Sequence, residues 1–217
     1  MVLLNRRLQS VEGVSLDYVV LNGLGYLTYS ISLILLYFNE KVRNQYAIRH
    51  TLTTMGQLNY PLVRFNDVAY GVHGVFIILV TLYQIYCCGY TRGYKQHVSR
   101  LTKLIMFMIL PGGIGFGIYA QKLNSAGKAN YQLVDVAMLL GNVKVVMSTA
   151  KYIPQILHNH RRRSTKGFSM RSVQLDMSGG TLAMCQLFMD GYIRNDLQGV
   201  WNNPVKLALS AVSLVPS

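Results

Sequence analysis

Five long apolar runs, separated by short polar stretches, constrain this chain more than any other feature: Tyr18 to Phe38, Val68 to Tyr90, Leu104 to Ala120, Leu133 to Leu157 and Val173 to Ile193. Most reach the roughly 20 residues a helix needs to cross about 30 Å of hydrocarbon. A further run, Pro204 to Ser217, spans only about 21 Å at about 1.5 Å per residue, so that helix is expected to be cut short. The composition agrees, with 51% hydrophobic and 13% charged residues and a mean hydropathy of +0.27. The fold expected is an all-α polytopic membrane bundle.

A formal charge of +13 in 217 residues raises the question of nucleic acid. The basic residues lie between the apolar runs and not along one face, so a nucleic-acid-binding surface is excluded. Sorted by loop, eleven of them fall on one side of the membrane: Arg6, Arg7, Arg92, Lys95, Arg100, Lys103, Arg161, Arg162, Arg163, Lys166 and Arg171. Seven fall on the other: Lys41, Arg43, Arg49, Arg64, Lys122, Lys128 and Arg194. The richer side is predicted to be cytosolic. Cys87, Cys88 and Cys185 lie within apolar runs without metal-ligand spacing and are expected to pack there. Residues 1–10 are polar and basic, unlike a cleavable signal peptide. No nucleophile arrangement or metal cluster points to an enzyme, and no cofactor or metal is expected.

The sequence repeats. At an offset of 154 residues, Asn5, Arg7, Ser10, Gly13 and Ser15 align with Asn159, Arg161, Ser164, Gly167 and Ser169, and Leu21, Asn22 and Gly25 with Leu175, Asp176 and Gly179. Many secondary transporters are built from such repeats, with the substrate site near the midplane where they meet. The second copy contains Lys151-Tyr152-Ile153-Pro154-Gln155-Ile156-Leu157-His158-Asn159 at the end of an apolar run. Pro154 lacks a backbone donor and kinks a helix, which makes the Pro154-Gln155 pair a candidate hinge.

An ionisable side chain inside a membrane run costs roughly 2.5 to 3.5 kcal/mol and calls for a partner, a cavity or a function. Asp176 is the first candidate for a proton site, beside Gly179 and Gly180, which permit close helix approach. Its alternative is an ion pair with Lys144, Lys151 or Lys206. Asp67 stands where a loop becomes a helix and suits either proton coupling or a cap. Lys144 and Lys206 are candidate partners for a substrate carboxylate, and Asn22 and Asn159 offer both donor and acceptor to a zwitterion. Asp17 lies near a boundary. Asp135 and Asp190 are expected to face water or headgroups, and His73 to pack between helices.

The string from Lys151 to Asn159, followed by Ser164-Thr165-Lys166-Gly167-Phe168-Ser169, Leu175-Asp176 and Gly179-Gly180, resembles the second PQ-loop of the cystinosin family. Ser10 to Asp17 with Leu21-Asn22, Asn66-Asp67-Val68 and Asn203-Pro204-Val205-Lys206 resemble further segments of it, so the likeness spans nearly the whole chain. The resemblance implies two three-helix repeats joined by a linking helix: residues 1–90 without their first helix, a linker at 99–122, and residues 131–217 with a short last helix. By the same likeness Met1 takes the place of the first PQ glutamine, and Ser172 stands where the family carries Asn. The function implied is export of L-cystine with protons across a lysosomal or vacuolar membrane, through Asp176 and Asp67 as proton-coupling residues and Asn22, Lys144, Asn159 and Lys206 as substrate contacts. Rival readings are a PQ-loop exporter of cationic amino acids and a non-transporting cargo receptor or regulator. A second copy or a regulatory protein is a possible partner.

Overall fold

The computed structural model describes residues 1–50, 60–93, 96–125, 132–193, 200–201 and 205–208. Among them the helices are α1 (Val2–Leu8), α2 (Leu16–Phe38), α3 (Glu40–Arg49), α4 (Phe65–Tyr86), α5 (Arg100–Ser125), α6 (Leu133–Ala150), α7 (Tyr152–Arg162) and α8 (Met170–Ile193). Four spans, Leu16–Phe38, Phe65–Tyr86, Arg100–Lys122 and Leu133–Arg162, are long and apolar enough to cross a bilayer. The chain is an all-α, multi-pass membrane protein. α8 is as long, at 24 residues, but Gln174, Asp176, Gln186 and Asp190 leave it less apolar than those four. Of the short run expected over 204–217, only residues 205–208 are described, and they are helical; the remainder lies outside the described residues.

Lipid gives helices no hydrophobic reason to associate, so small residues and polar contacts set the packing. α2 is the central helix, with α4 on one side and α6 on the other. Gly71 of α4 lies against the Ser30 side chain and Gly141 of α6 lies 3.3 Å from Ser32 Oγ, measured to an added Cβ. The Ser32 hydroxyl donates across the interface to the Ala137 carbonyl at 2.6 Å. α5 is peripheral: Ile105, Met106, Ile109 and Leu110 pack on Leu21, Leu24 and Met147, and most of its length faces outward.

The long span 133–162 is broken at Lys151, between α6 and α7. Pro154 explains the position, because a proline here has no N–H to give the Ala150 carbonyl four residues back. Its neighbour Gln155 is buried and bonds three ways. It accepts from the Ser15 amide at 2.8 Å, and donates to the Gly13 carbonyl at 2.9 Å and to Asn159 Oδ1 at 2.9 Å. This glutamine therefore clamps the loop before α2 onto the kinked helix. Gly13 and Gly167, equivalent in the repeat since 167 − 13 = 154, meet at the same place: a Cβ on Gly13 would lie 2.3 Å from the Gly167 carbonyl carbon. Gly167 has φ +90°, which favours glycine for a second reason.

Charged loops collect at two ends. One holds the Gly13–Gly167 contact, the Ser10–Thr91 bridge and Asp17, whose carboxylate accepts from the Ser99 amide at 2.8 Å ahead of α5. The other holds α3, Arg64 and the starts of α4 and α6. There Arg49 pairs with Asp135, with Nη2 3.2 Å from Oδ2, and Arg64 pairs with Asp190. Among the described residues, none of Arg6, Arg7, Arg92, Arg100, Lys103, Arg161, Arg162, Arg163, Lys166 and Arg171 forms a carboxylate pair. The asymmetry of unpaired cation is thus larger than the loop count alone, because two of the seven opposing charges are neutralised.

Several sequence expectations are corrected here. Asp190 does not face water: it is 2% exposed, because Arg64 reaches it from the start of α4. Asp135 also has a protein partner, and it caps its own helix by accepting from the Gln132 amide at 2.8 Å. His73 sits on an exposed face and not between helices. Cys87 and Cys185 are exposed, since they occupy the end of α4 and an outer face of α8, and all three cysteines are free. Gly179 is in open space where close helix approach was expected; it borders a cavity instead.

Candidate substrate and proton site

That cavity, of about 240 Å³, lies between α2, α4, α6 and α8 and is lined by two carboxylates and three lysines: Asp67, Lys144, Lys151, Asp176 and Lys206. Asp67 arrives at the first turn of α4. Its Oδ2 accepts from the Arg64 amide at 2.8 Å, closing the helix start, and from the Lys206 ammonium at 3.0 Å. The cap and the ion pair are therefore one arrangement, and both partners are nearly buried, with side chains 10% and 7% exposed.

Lys144 and Lys151 are seven residues apart, two helical turns, and so project from the same side of the span. The kink at Pro154 leaves Lys151 at the break, where its ammonium donates to Asp176 Oδ2 at 3.1 Å and to Asn22 Oδ1 at 3.3 Å. The Tyr152 hydroxyl also donates to Asp176 Oδ2, at 3.1 Å. Lys144 is different. It is 4% exposed, its Nζ lies 3.4 Å from the centroid of the Tyr26 ring, and it forms no ion pair among the described residues. Gly25 makes room for it, with an added Cβ only 3.2 Å from Lys144 Cδ. A cation over an aromatic face is held by the ring quadrupole, at about 2 kcal/mol or more when desolvated. Lys144 thus lines the cavity with the ring, and no carboxylate, as its partner among the described residues.

Tyr26 and Tyr70 share a hydroxyl contact at 3.0 Å, which adds a polar wall between the two ion pairs. Three lysines face two carboxylates across the cavity. The cavity lies just below the roughly 300–1,000 Å³ of ordinary small-molecule pockets, which suits a compact polar ligand.

A family model described as PQ loop repeat matches residues 2–42 and 136–195. The cystinosin homolog of Arabidopsis thaliana is 32% identical over 212 residues, covering 98% of this chain and 73% of that protein. The chain belongs to the cystinosin family. The cystinosin homolog of Caenorhabditis elegans is 34% identical over 211 residues, covering 97% of this chain and 48% of its own length. This member of the family thus spans about half the length of that relative. A protein of Saccharomyces cerevisiae named cystine transporter is 27% identical over 228 residues, covering 99% of this chain and 82% of the yeast protein.

Of the candidate site residues, the cystinosin-family fold brings Asp67, Asp176, Lys144 and Lys206 onto one cavity, with Asn22 behind it as a partner of Lys151. Asn159 does not join them. It lies two turns past the kink, bonded to Gln155, and lines a separate cleft at the end of α7. Sequence reasoning placed Lys151 only as a possible ion-pair partner, and Tyr26, Tyr70 and Tyr152 not at all. The signal for Lys151 was its position inside an apolar run, three residues before Pro154.

Proposed function

We propose that the chain forms the pathway of a proton-coupled cystine exporter in a lysosomal or vacuolar membrane. The observation that carries this reading is the buried, carboxylate-free ammonium of Lys144, seated on Tyr26 between the two ion pairs. A cystine molecule carries two carboxylates and two ammonium groups. Lys144 receives one carboxylate, and the tyrosine hydroxyls and Asp67 face the ammonium groups. Three lysines against two carboxylates disfavour cationic amino acids as cargo, and the names of the relatives point the same way.

The proton is assigned to the more exposed of the two ion pairs. The Asp176 side chain lines the cavity and is 31% exposed, while that of Asp67 is 10% exposed. A proton arriving from an acidic lumen adds to Asp176 and breaks its attraction to Lys151. The freed ammonium then takes the second carboxylate, so proton and substrate load together. Residues 1–90 and 131–217 act as the two repeats, joined by the helix at 99–122. They rock about the site, with Pro154 and the Gln155 clamp as the hinge.

The test is competition in reconstituted vesicles loaded with labelled cystine. Unlabelled cystine is expected to compete while lysine and arginine do not, and flux is expected to rise with an imposed proton gradient. Competition by lysine or arginine equal to that by cystine supports the cationic amino-acid reading. Saturable binding without flux supports the receptor reading.

A further inference from the structure

At the basic end, α7 carries a stripe whose chemistry changes along its length. Ile156, Asn159, His160 and Arg163 fall at i, i+3, i+4 and i+7 and so share one side of the helix. The loop that follows folds back along this stripe. Arg163 takes a left-handed conformation at φ 49°, the Ser164 amide bonds the Asn159 carbonyl at 3.2 Å, and Arg162 donates to the Lys166 carbonyl at 3.1 Å. The result is an open cleft lined by Ile156, Asn159, His160, Arg163, Ser164, Thr165 and Lys166.

Two features of the cleft bear on what fills it. No acidic residue lines it, and neither Arg163 nor Lys166 forms an ion pair among the described residues. On the membrane side, Ile153, Ile156 and Leu157 are 59%, 56% and 51% exposed, which in a spanning helix places them in acyl chains. From Ile156 to Arg163 is about 10 Å along the helix. That distance crosses the headgroup layer, about 5–7 Å deep on each side of the hydrocarbon. Orientation by loop charge requires basic residues at this end; it does not require an apolar, amide, imidazole and guanidinium succession on one face.

We propose that this cleft binds an anionic phospholipid through its phosphorylated headgroup, with Arg163 and Lys166 on the phosphate, the Thr165 hydroxyl beside them and the acyl chains along Ile156. Juxtamembrane basic clusters attract anionic lipid surfaces at roughly fivefold in affinity per cation. The bound lipid would hold α7, the segment beyond the Pro154 kink, against the leaflet.

The test is a native mass spectrometry titration of the full chain with short-chain phosphatidylinositol phosphate, phosphatidylcholine and free inositol phosphate. Preferential retention of the phosphatidylinositol phosphate is expected. The pair R163Q/K166Q is expected to weaken it about 25-fold, two contributions of roughly fivefold each. The charge-preserving R163K/K166R retains it, and R6Q/R7Q, with the same charge loss at the same end, leaves it little changed. The proposal is overturned by equal weakening in R6Q/R7Q, by equal affinity for free inositol phosphate, or by absence of preference over phosphatidylcholine. An acidic peptide that binds in place of the lipid overturns it too.

Discussion

Asn22 and Asp176 stand at equivalent positions of the two repeats, 176 − 22 = 154 residues apart, and both accept from the one ammonium of Lys151. One copy of the duplicated position is neutral and the other charged, so the duplication has produced a binding pair with a single ionisable member. A proton can change the charge on one side of Lys151 and not on the other. Lys151→Met is expected to leave Asp176 without its counter-charge and to abolish acceleration by a proton gradient. Asn22→Ala, which removes a neutral acceptor, should reduce flux while keeping gradient dependence. Flux measured with and without an imposed gradient in both variants checks this.

The Gly13–Gly167 contact gives a stability prediction. A Cβ on Gly13 meets backbone at 2.3 to 2.6 Å, which side-chain movement cannot relieve. Gly13→Ala is expected to destabilise by about 1–3 kcal/mol, the usual cost of overpacking, or more. Gly179→Ala, whose added Cβ meets nothing within 4 Å, should be close to neutral. Thermal melting of the two purified variants in the same detergent decides; equal melting temperatures would contradict the packing described.

Gln155 is predicted to matter through both faces of its amide. Gln155→Glu keeps an acceptor for the Ser15 amide but loses the donor to the Gly13 carbonyl, and places a charge where a 2% exposed neutral group stood. It should therefore be worse than Gln155→Ala, which leaves a buried amide unsatisfied at about 1–3 kcal/mol. Chemical denaturation or melting of the two variants tests the order.

Arg64 and Asp190 fasten the opposite end. Arg64→Ala leaves Asp190 buried without a counter-charge and is expected to cost about 3–5 kcal/mol, whereas replacing both residues by leucine should cost less. A double-mutant cycle on melting temperature reads the coupling. Additive effects would contradict the pairing.

The apolar runs, the repeat and the Pro-Gln pair were legible because each is a local pattern. The membrane class follows from run length, and the kink follows from the missing N–H of Pro154. What the chain alone did not convey is which side chains face each other. Asp190 looks like a boundary residue until Arg64, 126 positions away, is seen to cover it. α3 was hidden because its sequence is polar; it is held by Val42 and Tyr46 against Val134 and Ala137 and by a capping bond from the Val42 amide to Asn39. Lys144 and Lys206 were both candidates for a substrate carboxylate on charge alone. The fold separates them, giving Lys206 to Asp67 and leaving Lys144 on an aromatic ring. Asn159 matched the pattern of a binding residue, but the kink directs it to the end of α7.

Lys144 tests the substrate side. Lys144→Met preserves length and apolar volume and removes the charge, so cystine affinity is expected to fall roughly 10- to 150-fold, the range for losing a charged hydrogen-bond partner. Lys144→Arg should retain part of it. Unchanged cystine binding in Lys144→Met would remove Lys144 from the site.

The central claim is that Asp176 carries the coupled proton, and its most direct measurement is cystine transport by Asp176→Asn in vesicles, once as exchange at equal pH and once under an imposed proton gradient. Asparagine mimics the protonated carboxyl and releases Lys151 permanently. Exchange is therefore expected to persist while acceleration by the gradient disappears, with Asp67→Asn measured alongside. Full gradient-driven acceleration in Asp176→Asn, together with its loss in Asp67→Asn, would contradict the account and assign the proton to Asp67.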